Sequence, residues 1–414
     1  MRFALPCLLA LAGSALAANT NGRVPTFAKD VAPIVYSRCT ECHRPGEAAP
    51  MSFTSYKEVR PWAKAIKEKV VARTMPPWLA DPAHGVFKND RRLTAAQIAT
   101  ISEWANGGAP EGNPKDAPAP PKFETGWTIG KPDQVIDMGT DFAVPSDGVV
   151  AYQHFTVDPG FTKDMWVQAA EVRPDKRNVV HHVIVYVLPP NVPVSAAQGE
   201  AQERREMLVG FAPGDPATTF EEGTARLVKA GSKLIFQMHY TPTGKPYTDR
   251  SYIGLIYAKQ TPERRAVITN AGNGTFRIPP GDPNYEVKSS WTASDDIIVT
   301  SFMPHMHVRG KDYKYTVTYP DGRSEVVLDV PKYDFNWQLT YELEKPLHLP
   351  KGSRIDGVAH YDNSPNNKFN PDPTKEVRFG PQTWEEMMLG WFTYTIPSDH
   401  HPLTPQMRGR PSAE

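Results

Sequence analysis

Five histidines in three short stretches carry most of the ligand chemistry in this sequence. They are His181 and His182 in "VVHHVIVY", His239 in "FQMHYTP", and His305 and His307 in "PHMHVRG". Each lies in or just after an apolar run, where an imidazole without a partner is costly. Two readings compete: metal ligands, or core histidines satisfied by their neighbours. His305 and His307 are one residue apart, and alternate residues of a strand point to one face, so both rings can meet a single ion without distorting the backbone. His181 and His182 are adjacent and face opposite ways on a regular strand. They share an ion only at a bulge, a twist or a strand end.

A second chemical motif lies nearer the amino terminus, in "CTECH", Cys39 to His43. Two thiols in this spacing with a histidine directly after them form the attachment pattern of a c-type haem: the thiols add to the vinyl groups and the histidine ligates iron. A local disulfide or half a zinc site competes less well, because the chain has 3 cysteines and zinc would need further thiolates. The segment 27–112 resembles small cytochromes c, in which the second axial ligand is usually a methionine in an irregular stretch before the last helix. Met75, in "ARTMPPWLADP", occupies that place, with prolines holding the backbone out of a helix. Met51 follows His43 closely and reads as packing, and His84 is the weaker rival.

The elements that must position these groups differ along the chain. "FAKDVAPIVYSRC", "YKEVRPWAKAIKEKVVAR" and "LTAAQIATISEWANGG" carry apolar residues at three- and four-residue intervals and predict helices. Thr94 and Gln97 form a capping box for the last one, with Gly107 and Gly108 as its stop. A Pro-rich linker is expected over 113–125. Beyond it come short alternating or apolar runs such as "KLIFQMHYTPTG", "IIVTSFMPHMHVRG" and "SRIDGVAHYDN", which predict mostly antiparallel strands. Roughly 290 residues of this pattern is long for one sandwich, so two are expected, over 126–265 and 266–400. "AAQGEAQERREMLVG" reads as a short helical excursion between strands.

Lys plus Arg and Asp plus Glu number 46 each in 414 residues, with no basic or acidic block. Nucleic acid and anionic membrane surfaces are therefore poor partners, and a small neutral or apolar substrate fits better. "MRFALPCLLALAGSALAANT" has the form of a signal peptide over 1–17, cleaved after Ala17 and removing Cys7. No later apolar run is long enough to span a membrane, so the expected location is periplasmic or secreted.

The series "HH", "Q-x-H-Y", "H-x-H", and then a methionine after two acids in "WEEMMLGWF" resembles the copper type II ascorbate-dependent monooxygenases, of the peptidylglycine α-hydroxylating and dopamine β-monooxygenase type, over about 131–394. The resemblance implies two copper ions. His181, His182 and His239 match the electron-transfer copper. His305, His307 and Met387 match the copper that binds oxygen; Glu385 and Glu386 select Met387, with Met388 the fallback. Imidazole suits both copper oxidation states, and a thioether favours Cu(I). The implied fold class is multidomain: a small all-α cytochrome c domain followed by two all-β jelly-roll sandwiches facing each other across a solvent-filled cleft. Unlike the animal enzymes, this chain has no spare cysteines for disulfides.

The function expected is that of an exported copper-dependent monooxygenase. It would hydroxylate a C–H bond of a small-molecule substrate with O2, with electrons delivered through covalently bound haem c held by Cys39, Cys42, His43 and Met75. An external donor, an ascorbate-like reductant or a redox protein, would recharge it. One rival is a non-catalytic haem and copper electron-transfer or copper-binding protein; another is a cytochrome fused to a sugar-binding β-domain. His154, His348, His360, His400, His401 and Tyr240 read as structural or solvent-exposed.

Overall fold

Alternation of apolar residues organises most of this chain. On the strand Ile297–His305, Ile297, Val299 and Phe302 enter the core, while Ile298, Thr300 and Met303 lie only partly buried on the other side. The computed structural model describes residues 23–47, 49–123, 126–194, 206–212, 217–400 and 406–408. The expected leader with Cys7, and His401, lie outside the described residues.

The chain divides into two units. One is formed by residues up to 40 with 52–76 and 92–121, the other by 41–51, 77–91 and everything from 122 onward. In the first, helices Ala32–Arg38, Tyr56–Val59, Ala63–Val71 and Ala95–Asn106 surround Phe27, whose ring lies 5.4 Å from Tyr56 and 6.1 Å from Trp104. The last helix starts at the anticipated capping box: Gln97 N–H donates to Thr94 Oγ1 at 3.2 Å, and Thr94 N–H donates to Gln97 Oε1 at 2.9 Å.

The expected all-α cytochrome domain over 27–112 is not what forms. Strands hold 38% of the described residues, the helices among them are short, and the segment is split: 41–51 and 77–91 belong to the β-rich unit. The cause lies in "PPWLADPAHGVFKND", which is too rich in proline for a helix and carries Trp78 and Phe87. Those rings, with Ala80, are buried in the β core. Phe87 forms an antiparallel bridge to Leu343, and the Asn89 side chain donates to Thr340 O at 2.8 Å and accepts from Glu342 N–H at 3.1 Å.

The β-rich unit contains a sheet whose main path runs Gln134–Asp137, Tyr252–Tyr257, Met165–Arg173, Thr224–Val228, Arg264–Asn273, Met388–Pro397, Ile297–His305 and Tyr341–Leu349. Along this path one pairing is parallel, Thr224–Val228 against Arg264–Asn273, with Arg264 opposite Thr224 and Arg265 opposite Ala225. That pairing joins two halves. The first half shares a core with a four-stranded sheet ordered Gln153–Val157, Lys233–Tyr240, Val180–Leu188, Glu206–Phe211. The second packs on Tyr285–Thr292, Arg354–Tyr361, Gly310–Thr318 and Ser324–Val330, burying Trp291, Tyr313, Tyr315 and Phe392. Glu206–Phe211 is a strand, not the end of a helix, because Met207, Leu208 and Val209 are all buried between neighbouring elements.

Candidate metal centres

A bulge solves the problem posed by the adjacent histidines. Between Val180–Leu188 and Lys233–Tyr240 the register slips: Val180 pairs with Tyr240, but His182 already pairs with His239. His181 is the extra residue, and a bulge re-aims its side chain. Ligand atoms of His181, His182 and His239 therefore all lie within 4.8 Å of one another. His181 Nδ1 and His182 Nδ1 are 3.1 Å apart, and His239 Nδ1 is buried with no hydrogen-bond partner. Two imidazole nitrogens bonded to one ion at about 2.0 Å each lie about 3 Å apart, so this donor set fits a metal ion. Burial lowers the pKa of each ring: His239 falls to about 3, and His182 falls well below its ordinary value, with the neighbouring imidazoles adding to the shift. The rings are thus neutral near pH 7, the form that binds metal.

His305 and His307 lie at and just beyond the end of their strand, 6% and 1% exposed, with ring centroids 5.3 Å apart. His305 Nδ1–H donates to Gln338 Oε1 at 2.7 Å, and His307 Nδ1–H to Glu385 O at 3.3 Å. These bonds set the tautomer that leaves the lone pair on Nε2. His307 Nε2 is buried and unpartnered, the kind of orphan a metal would satisfy. Burial lowers His305 to about 4 and His307 well below its usual range.

Met387 and Met388 part company at this point. His305 pairs with Leu389 across the sheet, and Met387 lies two residues earlier, just before the strand Met388–Pro397 begins. Met388 is fully buried in the core. Met306, between the two histidines, is also core. Glu386 fastens this corner: its Oε2 accepts from His307 N–H at 2.8 Å and Met387 N–H at 3.1 Å, and its Oε1 from Arg309 N–H at 2.7 Å. Burial pushes the Glu386 carboxyl up to about 7, against the opposing pull of those N–H groups and the Arg309 guanidinium.

The two histidine sets do not face each other across open solvent. Phe335, from the loop after Ser324–Val330, stacks on His181 at 5.6 Å with an interplanar angle of 14°, and lies 6.1 Å from His239 and 6.0 Å from His307. Tyr152 comes from the other half, 4.8 Å from His239, and its N–H points to Gln382 Oε1 at 3.5 Å. The pattern of the sequence singled out neither ring, nor Gln338, because each acts from an irregular segment without periodicity.

No family model matches this chain, and no curated protein matches it. Among solved structures, one of the infectious bursal disease virus Gx strain is 9% identical with a TM-score of 0.20, over 65% of this chain and 75% of that one. A VP2 subviral particle of the same virus is 10% identical with a TM-score of 0.20, over 66% and 74%. PNGF-II is 7% identical with a TM-score of 0.24, over 61% and 60%. Similarities this slight carry no argument about function.

The haem-type motif divides between the units: Cys39 and Met75 fall in the first, Cys42 and His43 in the second. Neither cysteine forms a disulfide. Burial raises the Cys42 thiol to about 11. His43 Nδ1 lies 3.2 Å from Met51 O, a bond that places the ring's lone pair on Nε2, as an iron ligand requires. Met75 is half-buried in the non-helical stretch before Ala95–Asn106. Of the remaining histidines, His154 bonds Gln237 at 3.0 Å, His360 lies 2.7 Å from Asp312, and His400 lies 2.7 Å from Asp295. Among the described residues no helix is long and apolar enough to cross a membrane.

Proposed function

We propose that this protein is an exported copper-dependent monooxygenase that hydroxylates a C–H bond of a small molecule, with a covalently attached haem c as its electron inlet. The observation that carries the reading is the convergence of two separate imidazole sets, one gathered by the bulge at His181 and the other tied to Met387 through Glu386. His181, His182 and His239 would hold one copper, and His305, His307 and Met387 the other. Cys39, Cys42, His43 and Met75 would hold the haem. Copper in these sites supplies one-electron chemistry and the activation of dioxygen, and haem supplies single electrons.

The protein's own groups supply placement. Gln338 and the Glu385 carbonyl fix the tautomers of His305 and His307, and Glu386 holds the turn that follows His307 against the methionine segment. Phe335 and Tyr152 fill the space beside the imidazoles and limit water there. An external reductant, ascorbate-like or a redox protein, would recharge the haem. X-ray absorption of the Cu(I)-loaded protein tests the ligand set: wild type should show copper–sulfur scattering that Met387→Ile lacks. Scattering retained in the variant, or nitrogen-only copper in wild type, would sink the assignment.

A further inference from the structure

The sheet face that presents His305 continues away from the triad into a cavity. Met303 pairs with Trp391 just as His305 pairs with Leu389, and the side chains of these four residues alternate onto one face. Met303 is two residues from His305, a strand rise of roughly 7 Å. Met303, Trp391, Ile268 and Ile298 line it, together with Met207 of the other half. The volume of this half-open cavity is ≈ 280 Å³. Met303, Trp391 and Ile268 also pack against the buried group Tyr186, Leu188, Met207 and Ile235, so the cavity is walled by apolar surface from both halves.

Its lysine and arginine lining groups are already engaged. Lys88 lies 3.8 Å from Glu221 and 3.5 Å from Glu342. Arg264 Nε donates to Thr395 Oγ1 and its terminal nitrogen to Thr395 O, both at 2.8 Å. An ionic ligand would lose its hydration here without meeting an unpaired opposite charge. Ser301 and several threonines, Thr300 and Thr393 among them, provide the neutral polar lining.

We propose that this cavity binds a small, neutral, mainly apolar molecule, smaller than a drug-sized ligand, with at most a hydroxyl or carbonyl as its polar group. As a statement about substrate, this rests on the function proposed above: the cavity would present that molecule's C–H bond to the His305 corner.

Calorimetric titration of the full-length protein with three probes of matched shape, 4-methylphenol, 4-methylbenzoate and 4-methylbenzylamine, tests the class. The neutral phenol should bind at least about tenfold tighter than either ion, and Trp391→Ala and Met303→Ser should each weaken it by about tenfold, the scale of one lost apolar wall. Circular dichroism checks that both variants fold. Equal binding of the benzoate, no binding of the phenol, or wild-type affinity in both folded variants would overturn the proposal. Selective phenol binding by a chain that takes up no copper would uphold the ligand class and remove the oxygenase reading.

Discussion

The Glu386 carboxylate accepts the backbone N–H of His307 at 2.8 Å, and through the Met387 N–H, at 3.1 Å, it also grips the methionine segment. One buried acid thereby couples two pieces of chain far apart in sequence. Replacing Glu386 with Ala leaves three buried N–H groups without an acceptor. We expect a loss of about 3 kcal/mol or more in stability and a copper content reduced to the His181 set. Urea unfolding and metal analysis of the dialysed variant check both effects.

Gln338 contacts no expected ligand atom, yet it sets the His305 tautomer. In Gln338→Leu, copper affinity at the His305 site should fall on the order of 10–100-fold, with the His181 site unaffected. Competition with a Cu(I) chelator measures the two classes of site; equal affinity in both proteins would remove Gln338 from the account.

The neighbouring methionines provide an internal control. Met388→Leu is a near-isosteric change in the core and should cost less than about 1.5 kcal/mol, leaving copper chemistry intact. Met387→Leu should change stability just as little but abolish the thioether's preference for Cu(I). The Cu(II)/Cu(I) potential of each variant distinguishes them, and the reverse pattern would transfer the role to Met388.

Much of this corner was legible in the sequence. The period-2 spacing of His305 and His307 permits a shared face; the strand ends at His305, and the two rings still lie 5.3 Å apart. The condition that His181 and His182 need a bulge was readable from strand geometry alone. Where the bulge falls was not readable, because it depends on the partner strand's register around His239 and Tyr240. Phe335, Gln338 and Tyr152 were invisible for a related reason: each reaches the site from an irregular segment placed by long-range packing. The helical periodicity before residue 110 was real, and Thr94 caps its helix as expected. An independent all-α domain did not follow, because Trp78 and Phe87 bury themselves in the β core.

The amino-terminal motif is testable apart from copper. Purified protein expressed with haem-attachment machinery should give the alkaline pyridine spectrum of a covalent haem, and Cys39→Ala with Cys42→Ala should abolish it. Copper stoichiometry should be unchanged in that double variant, since the triads lie elsewhere in the chain. Loss of copper along with haem would contradict their independence.

The most direct test of the central claim is copper content measured together with oxygen uptake on the same preparation, for wild type and Met387→Ile, with 4-methylphenol and a reductant. The account predicts two coppers per chain in wild type and oxygen consumption matched by hydroxylated product, with product formation lost in the variant. Fewer than one copper per wild-type chain, or product formed as fast by Met387→Ile as by wild type, would contradict it.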